Sequence, residues 1–174
     1  MNNPTATDSG APAWQVREAR RDDVPDIVDA VAGLLEELAG TSISSSTLPA
    51  DHRLGGMEEA VRALIDDPQA GALLVADADV SLVGVLASSW QLAIHAPGIY
   101  ALIQDLWVHP AWRGRGVGKT LLDAFLQLAR SRGVERVEVG LPQESFARFD
   151  ATESFYLSNG FTPNGPRMKK TILS

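Results

Sequence analysis

The chain contains no cysteine. That removes disulfide staples, thiolate metal sites and any mechanism in which a cysteine carries the substrate covalently. It also has no long apolar run: nothing approaches the ~20 residues that a helix needs to span a bilayer. The first ten residues, Met1 to Gly10, hold no basic region followed by an apolar segment, so they do not read as a signal peptide. A cytoplasmic location is the expectation. Positive charge is scarce too, with 15 Lys and Arg against 22 Asp and Glu and a net charge of −7. That balance argues against broad nucleic-acid binding. What remains is ordinary for a globular chain: 174 residues, 45% hydrophobic and 21% charged, enough for one domain with a substantial core.

Against this acidic background one stretch gathers cations and glycines: Leu106-Trp107-Val108-His109-Pro110-Ala111-Trp112-Arg113-Gly114-Arg115-Gly116-Val117-Gly118-Lys119-Thr120-Leu121-Leu122. Alternating glycines let the backbone fold into a concave nest whose N–H groups point the same way. The helix that follows adds its own unpaired N–H groups and the positive end of its dipole. Such a loop suits phosphate, and Arg113, Arg115 and Lys119 stand beside it. Three phosphate-loop patterns compete. A P-loop requires glycine five positions before Gly118, where Arg113 stands. The dinucleotide pattern G-x-G-x-x-G, started at Gly114, puts its last glycine on Lys119. The third, [QR]-x-x-G-x-[GA], fits as Arg113-x-x-Gly116-x-Gly118. The bland alternative is a flexible turn with glycine for geometry only.

In chain order, residues 1–13 read as a disordered tail and 14–174 as a single domain. Trp14 to Ala19 alternates as a first strand. Asp22 or Asp23 can cap a helix with Pro25 in its first turn. Val24, Ile27, Val28, Val31, Leu34, Leu35 and Leu38 form its inward stripe; Asp26, Asp29, Glu36 and Glu37 form its solvated face. Thr41 to Pro49 is a loop long enough to serve as a lid or binding loop. A helix follows over Met57–Ile65. Ala72–Ala76 and Leu82–Ala87 form a hairpin, with Gly84 marking a bulge or close packing. A strand over Tyr100–Val108 feeds the glycine loop, and a helix then runs to about Arg132. Arg136–Leu141 is a strand, Thr152–Ser158 a short helix, and Arg167–Leu173 a closing strand. This order implies an α/β (α+β) fold, a mixed and mostly antiparallel central sheet with one parallel pair and helices on both faces.

Three segments taken together resemble the GNAT N-acetyltransferase superfamily over about residues 14–173. Ile103-Gln104-Asp105-Leu106-Trp107-Val108-His109-Pro110 is similar to its L-x-V-x-P strand, Arg113 to Gly118 to its acyl-CoA loop, and Phe155-Tyr156-Leu157-Ser158-Asn159-Gly160-Phe161 to its F-Y-x-x-x-G-F segment. The resemblance implies acetyl-CoA as co-substrate, no metal, and a cleft where two parallel strands splay apart. Backbone groups of Leu106, Trp107 and Val108 would pair with the pantetheine arm, an N–H at Trp107 or Val108 would polarise the thioester carbonyl, and the N–H groups from Arg115 through Thr120 with the Arg113 side chain would hold the pyrophosphate. Gly114, Gly116, Val117, Gly118 and Lys119 belong to the same loop.

Tyr156 would be the general acid, since a phenol with a pKa near 10 is a donor at neutral pH; its alternative is a core aromatic. Asp105 is either a base for the acceptor amine or a structural carboxylate, with His109 and His52 as other bases. Phe149 stands where many relatives carry an asparagine that touches the pantetheine arm; Gln143 or Asp150 are the substitutes at hand. The acceptor, an amine on a small molecule or a peptide, is chosen in this family by segments that correspond here to Thr41–Arg53, Trp90–Tyr100 and Pro163–Arg167. Trp90, His95 and Tyr100 line an acceptor pocket or simply pack. No nucleic acid and no membrane is expected as a partner; a second copy of the chain is one option. The competing functions are a non-catalytic acyl-CoA-binding sensor and a P-loop-like nucleotide-binding enzyme.

Overall fold

The computed structural model describes residues 14–39, 50–78, 81–94, 98–165, 167, 168 and 170. Five strands lie side by side in chain order: β1 (Gln15–Glu18), β2 (Gly71–Ala78), β3 (Ser81–Ala93), β4 (Gly98–Val108) and β5 (Val137–Val139). The first four pair antiparallel, and β4 pairs with β5 in parallel. Four α-helices pack around the sheet: α1 (Val24–Ala39), α2 (Ala50–Asp66), α3 (Val117–Ser131) and α4 (Phe149–Ser158), with short 3-10 turns at Arg21–Asp23 and Pro110–Trp112.

Strand alternation sorts the core onto the two faces of this sheet. Leu74 and Ala76 of β2, Leu86 of β3 and Ile103 of β4 pack against Leu121, Leu122 and Phe125 of α3 and Tyr156 of α4. Leu73, Val75, Val85 and Ala87 point the other way, onto Val24, Ile27 and Val28 of α1 and Val61 of α2. Because both faces are covered, β2 is buried at nearly every position, which is why it reads as a continuous apolar run. Gly84 both adjoins a bulge and permits close packing. The register shifts beside it, and a Cβ there would lie 2.8 Å from Leu121 Cδ1 and 3.0 Å from Val117 Cγ1. Glycine is what lets α3 sit down on β3.

The edge strand β1 is tied in by Arg17, whose guanidinium bonds Asp77 at 2.6 Å and Asp23 at 2.7 Å and 2.8 Å. Asp23 in turn accepts from the Arg20 amide at 2.6 Å just ahead of α1. Arg17 holds the Asp23 carboxyl below the usual aspartate range, first through its hydrogen bond.

Several boundaries differ from those the sequence suggests. The β3–β4 hairpin extends to Ala93 and Gly98, so Trp90, beyond the expected Leu82–Ala87 strand, is a strand residue. Trp90 stacks on Phe125 at 6.0 Å and donates its indole N–H to Pro68 O at 3.0 Å, while Tyr100 lies under the Arg136 guanidinium at 4.7 Å. α2 begins at Ala50, earlier than Met57, and β5 is only three residues long. Leu35 and Leu38 are 42% and 39% exposed, outside the inward stripe. The last turns of α1 lie over a cleft rather than over the sheet, and there Leu34 and Glu37 face inward. Arg167, Met168 and Lys170 are not in a strand, which corrects the expected closing strand at those positions. The tail, the Thr41–Pro49 loop, His95, the His52 side chain and residues 171–174 lie outside the described residues.

Candidate functional site

β4 and β5 share three rungs, Ala101–Val137, Leu102–Glu138 and Ile103–Val139. Beyond the last rung β4 runs on to Val108 without β5, so one backbone edge of residues 104–108 opens into a cleft. The β3–β4 register slips by one at this place: Ser88 faces Ile103, but Ala87 faces Asp105, leaving Gln104 as an extra residue. The His109 amide donates to Val83 O on β3 at 3.0 Å. By alternation along an extended strand, the Trp107 amide also faces β3, and those of Leu106 and Val108 face the cleft. Of the two amides the sequence offers for a thioester carbonyl, the Val108 amide is therefore the one on the open edge.

The glycine loop follows. Gly114 and Gly116 have φ of 73° and 91°, a left-handed region that disfavours any side chain. Gly118 is helical, and a Cβ there would meet Val108 and Phe155 at 3.5 and 3.7 Å; it keeps the loop close to α4. The first amide of the turn to find an acceptor is that of Thr120, which bonds Gly116 O at 2.9 Å. Among the described residues, the amides of residues 114 to 119 have none. These amides, at the start of a 15-residue helix, are donors open to an acceptor. Thr120, expected to contribute its N–H, is used internally, because its amide belongs to the first turn that closes on Gly116.

The loop's cations are engaged. Arg113 Nε donates to Val108 O at 2.8 Å and its Nη2 to Glu37 Oε1 at 2.6 Å, so the guanidinium braces the loop against β4 and α1. Arg115 lies 5.2 Å over the Trp112 ring, off the cavity wall. Lys119 does line the cavity and pairs with Asp123 one turn later at 2.7 Å.

One face of α4 with its two flanking residues forms the opposite wall: Arg148, Ala151, Thr152, Phe155, Tyr156 and Asn159 recur at helical spacing. They enclose, with the loop and Leu106–Val108, a cavity of about 440 Å³. Tyr156 is 6% exposed and sits edge-on to Phe155 and Phe161, each 5.2 Å away, so it is at once a core aromatic and a cavity residue. Burial, and then the charge of Asp105, raise its pKa well above that of free tyrosine. Asp105 is half-buried and shares a sheet face with Trp107, as alternation predicts: their β3 partners Ala87 and Val85 both pack under α1. Burial raises the Asp105 carboxyl above the usual aspartate range. It is not on the cavity wall, and neither are His109, Gln143 and Asp150. Where relatives carry asparagine, Phe149 is half-buried off the wall, and Arg148 and Thr152 occupy that stretch. Sequence reasoning missed Glu37, Arg148 and Thr152; only the every-third-or-fourth spacing of Arg148 and Thr152 to Tyr156 could have flagged them.

Comparison with known proteins agrees with this architecture. Residues 69–163, more than half of the chain, match the model of the acetyltransferase (GNAT) domain. A stretch of 118 residues is 31% identical to a mycothiol acetyltransferase from Beutenbergia cavernae, covering 59% of this chain and 38% of that protein; the chain thus spans well under half of that relative's length. Among solved structures, a possible acetyltransferase from Clostridium difficile 630 superposes with a TM-score of 0.73 at 17% identity, over 92% of this chain and 99% of that one. An aminoglycoside acetyltransferase from an uncultured soil metagenomic sample, in complex with sisomicin, gives 0.66 at 21% identity, over 92% and 96%. At these identities the structural matches speak for the fold, and the family model for the family. Because that model matches more than half of the residues, the chain belongs to the GNAT acetyltransferase family.

Proposed function

We propose that this chain moves an acetyl group from acetyl-CoA to a primary amine by direct attack within a ternary complex. The observation that carries the reading is the run of unpaired amides at residues 114 to 119 beside a β4 edge that has lost its β5 partner. A pyrophosphate supplies oxygen acceptors for the first. The two amides of a pantetheine arm complete the second, as an added strand would. The Val108 amide, on the open edge, is then the donor to the thioester carbonyl as negative charge develops there.

The chemistry needs three events. The amine nitrogen, freed of its extra proton, bonds to the thioester carbon; the C–S bond breaks; and the departing sulfur gains a proton or a strong hydrogen bond. Tyr156 is assigned to the last. Its raised pKa makes it a weaker acid but keeps it protonated, so it serves as a donor present at every working pH. Asp105, raised by burial, is a better base than an ordinary carboxylate, and with no place on the cavity wall it would draw the amine's proton through water. An ammonium with a pKa near 10 cannot attack until this happens.

Release of free CoA from acetyl-CoA in the presence of an amine panel tests the reading. The panel spans amino acids, polyamines, peptide N-termini and an aminoglycoside such as sisomicin, the last because a protein of similar fold is an aminoglycoside acetyltransferase. Amine-dependent release supports transfer. Tight acetyl-CoA binding with no release for any amine would favour a sensor.

A further inference from the structure

The acidic face of α1 reads as solvated, yet Glu37 is half-buried, 30% exposed at its side chain. Among the described residues it is the only carboxylate on the cavity wall. Its Oε1 accepts from Arg113 Nη2 at 2.6 Å, and Arg113 Nε reaches back to Val108 O at 2.8 Å. One guanidinium thus joins the end of β4, the last turns of α1 and the start of the glycine turn. Two physical consequences follow. The Arg113 charge is matched by a carboxylate at contact distance, so it adds little net potential toward a phosphate. Its position is fixed from two sides, and with it the direction of the loop amides and the end of the β4 edge.

We infer that Glu37 is a positioning residue for acyl-CoA: it holds Arg113 against Val108 and so aims the amides that receive the pyrophosphate. The inference rests on the acyl-CoA reading. Glu37 also lies two residues before the end of α1 at Ala39, where the chain enters the segment the sequence assigns to acceptor choice. The donor loop and the helix that leads into that segment therefore share one ion pair.

The test uses Glu37→Ala, Glu37→Gln and Arg113→Ala, with acetyl-CoA titrated by calorimetry and steady-state rates measured alongside. Glu37→Ala raises the Kd about tenfold, and KM rises by more than kcat falls. Glu37→Gln, whose amide oxygen still accepts from Nη2, stays within about threefold of wild type. In the Arg113→Ala background, removal of Glu37 adds nothing further, because both act through one contact. A readout independent of ligand is the Arg113 Nε–H resonance, which exchanges with solvent faster in Glu37→Ala than in wild type. Wild-type affinity in Glu37→Ala, or strictly additive losses with Arg113→Ala, would overturn the inference. Failure of the wild-type chain to bind acetyl-CoA at all would instead overturn the acyl-CoA reading beneath it, and this inference with it.

Discussion

Ile103 and Val139 form the last rung shared by β4 and β5. Five further residues of β4, Gln104 to Val108, continue past it, and the Gln104 bulge sits at the point of parting. A bulge adds local twist, and this one falls at the residue next to the last shared rung. The cleft is a product of strand length: β5 stops after three residues while β4 does not.

Tyr156→Phe keeps the ring against Phe155 and Phe161 and removes only the hydroxyl. A fall in kcat of one to two decades is expected, within the usual range for a positioned proton donor, with little change in acetyl-CoA affinity. Steady-state kinetics beside a binding titration separate the two. Unchanged turnover would return Tyr156 to the core.

The pH behaviour follows from two raised groups. Because Tyr156 lies well above free tyrosine, no loss of activity on the alkaline side up to about pH 10 is assigned to its ionisation. Asp105 is raised in the fold relative to the unfolded chain. Its neutral form is the one the fold favours, so its stabilising contribution is complete below the ordinary aspartate pKa and lost as pH rises through the folded value. Asp105→Asn should therefore raise Tm at neutral pH, and the gain should shrink toward zero in acid. If Asp105 is also the base, the acid limb of the kcat/KM profile disappears in the same variant; an unaltered limb removes it from the mechanism.

Gly84→Ala places a methyl group 2.8 Å from Leu121 Cδ1, 3.0 Å from Val117 Cγ1 and 3.3 Å from Trp107 O. Overpacking of this kind costs about 1–3 kcal/mol, read as a lower midpoint in urea unfolding. Since Val117 opens α3 at the end of the glycine loop, acetyl-CoA affinity should weaken in parallel if the loop holds the pyrophosphate. Full stability in this variant would show that α3 is free to shift off β3.

Much of this was legible in the sequence, for local reasons. Val24, Ile27 and Val28 repeat at helical spacing, and a helix starts at Val24 with Pro25 in its first turn. Gly114 and Gly116 stand where positive φ is required, and Tyr156 lies in a segment whose spacing matches the family pattern. The failures are non-local. Glu37 looks solvated because its partner Arg113 is 76 positions away, and no helical period encodes that pairing. Leu35 and Leu38 continue the apolar stripe of α1 past the place where there is sheet to cover. Nor does any helical period encode that Arg113, on the cavity wall, also donates to Val108 O.

The central claim is that the loop amides bind the pyrophosphate of acetyl-CoA, and one calorimetric experiment tests it most directly. Acetyl-CoA, CoA and ATP are titrated into the wild-type chain and into Gly116→Glu, which puts a carboxylate into the loop at a position with φ of 91°. The account predicts micromolar acetyl-CoA binding that is lost in Gly116→Glu, with no comparable signal for ATP. Binding of ATP in preference to acetyl-CoA, or acetyl-CoA affinity that survives Gly116→Glu, would contradict it.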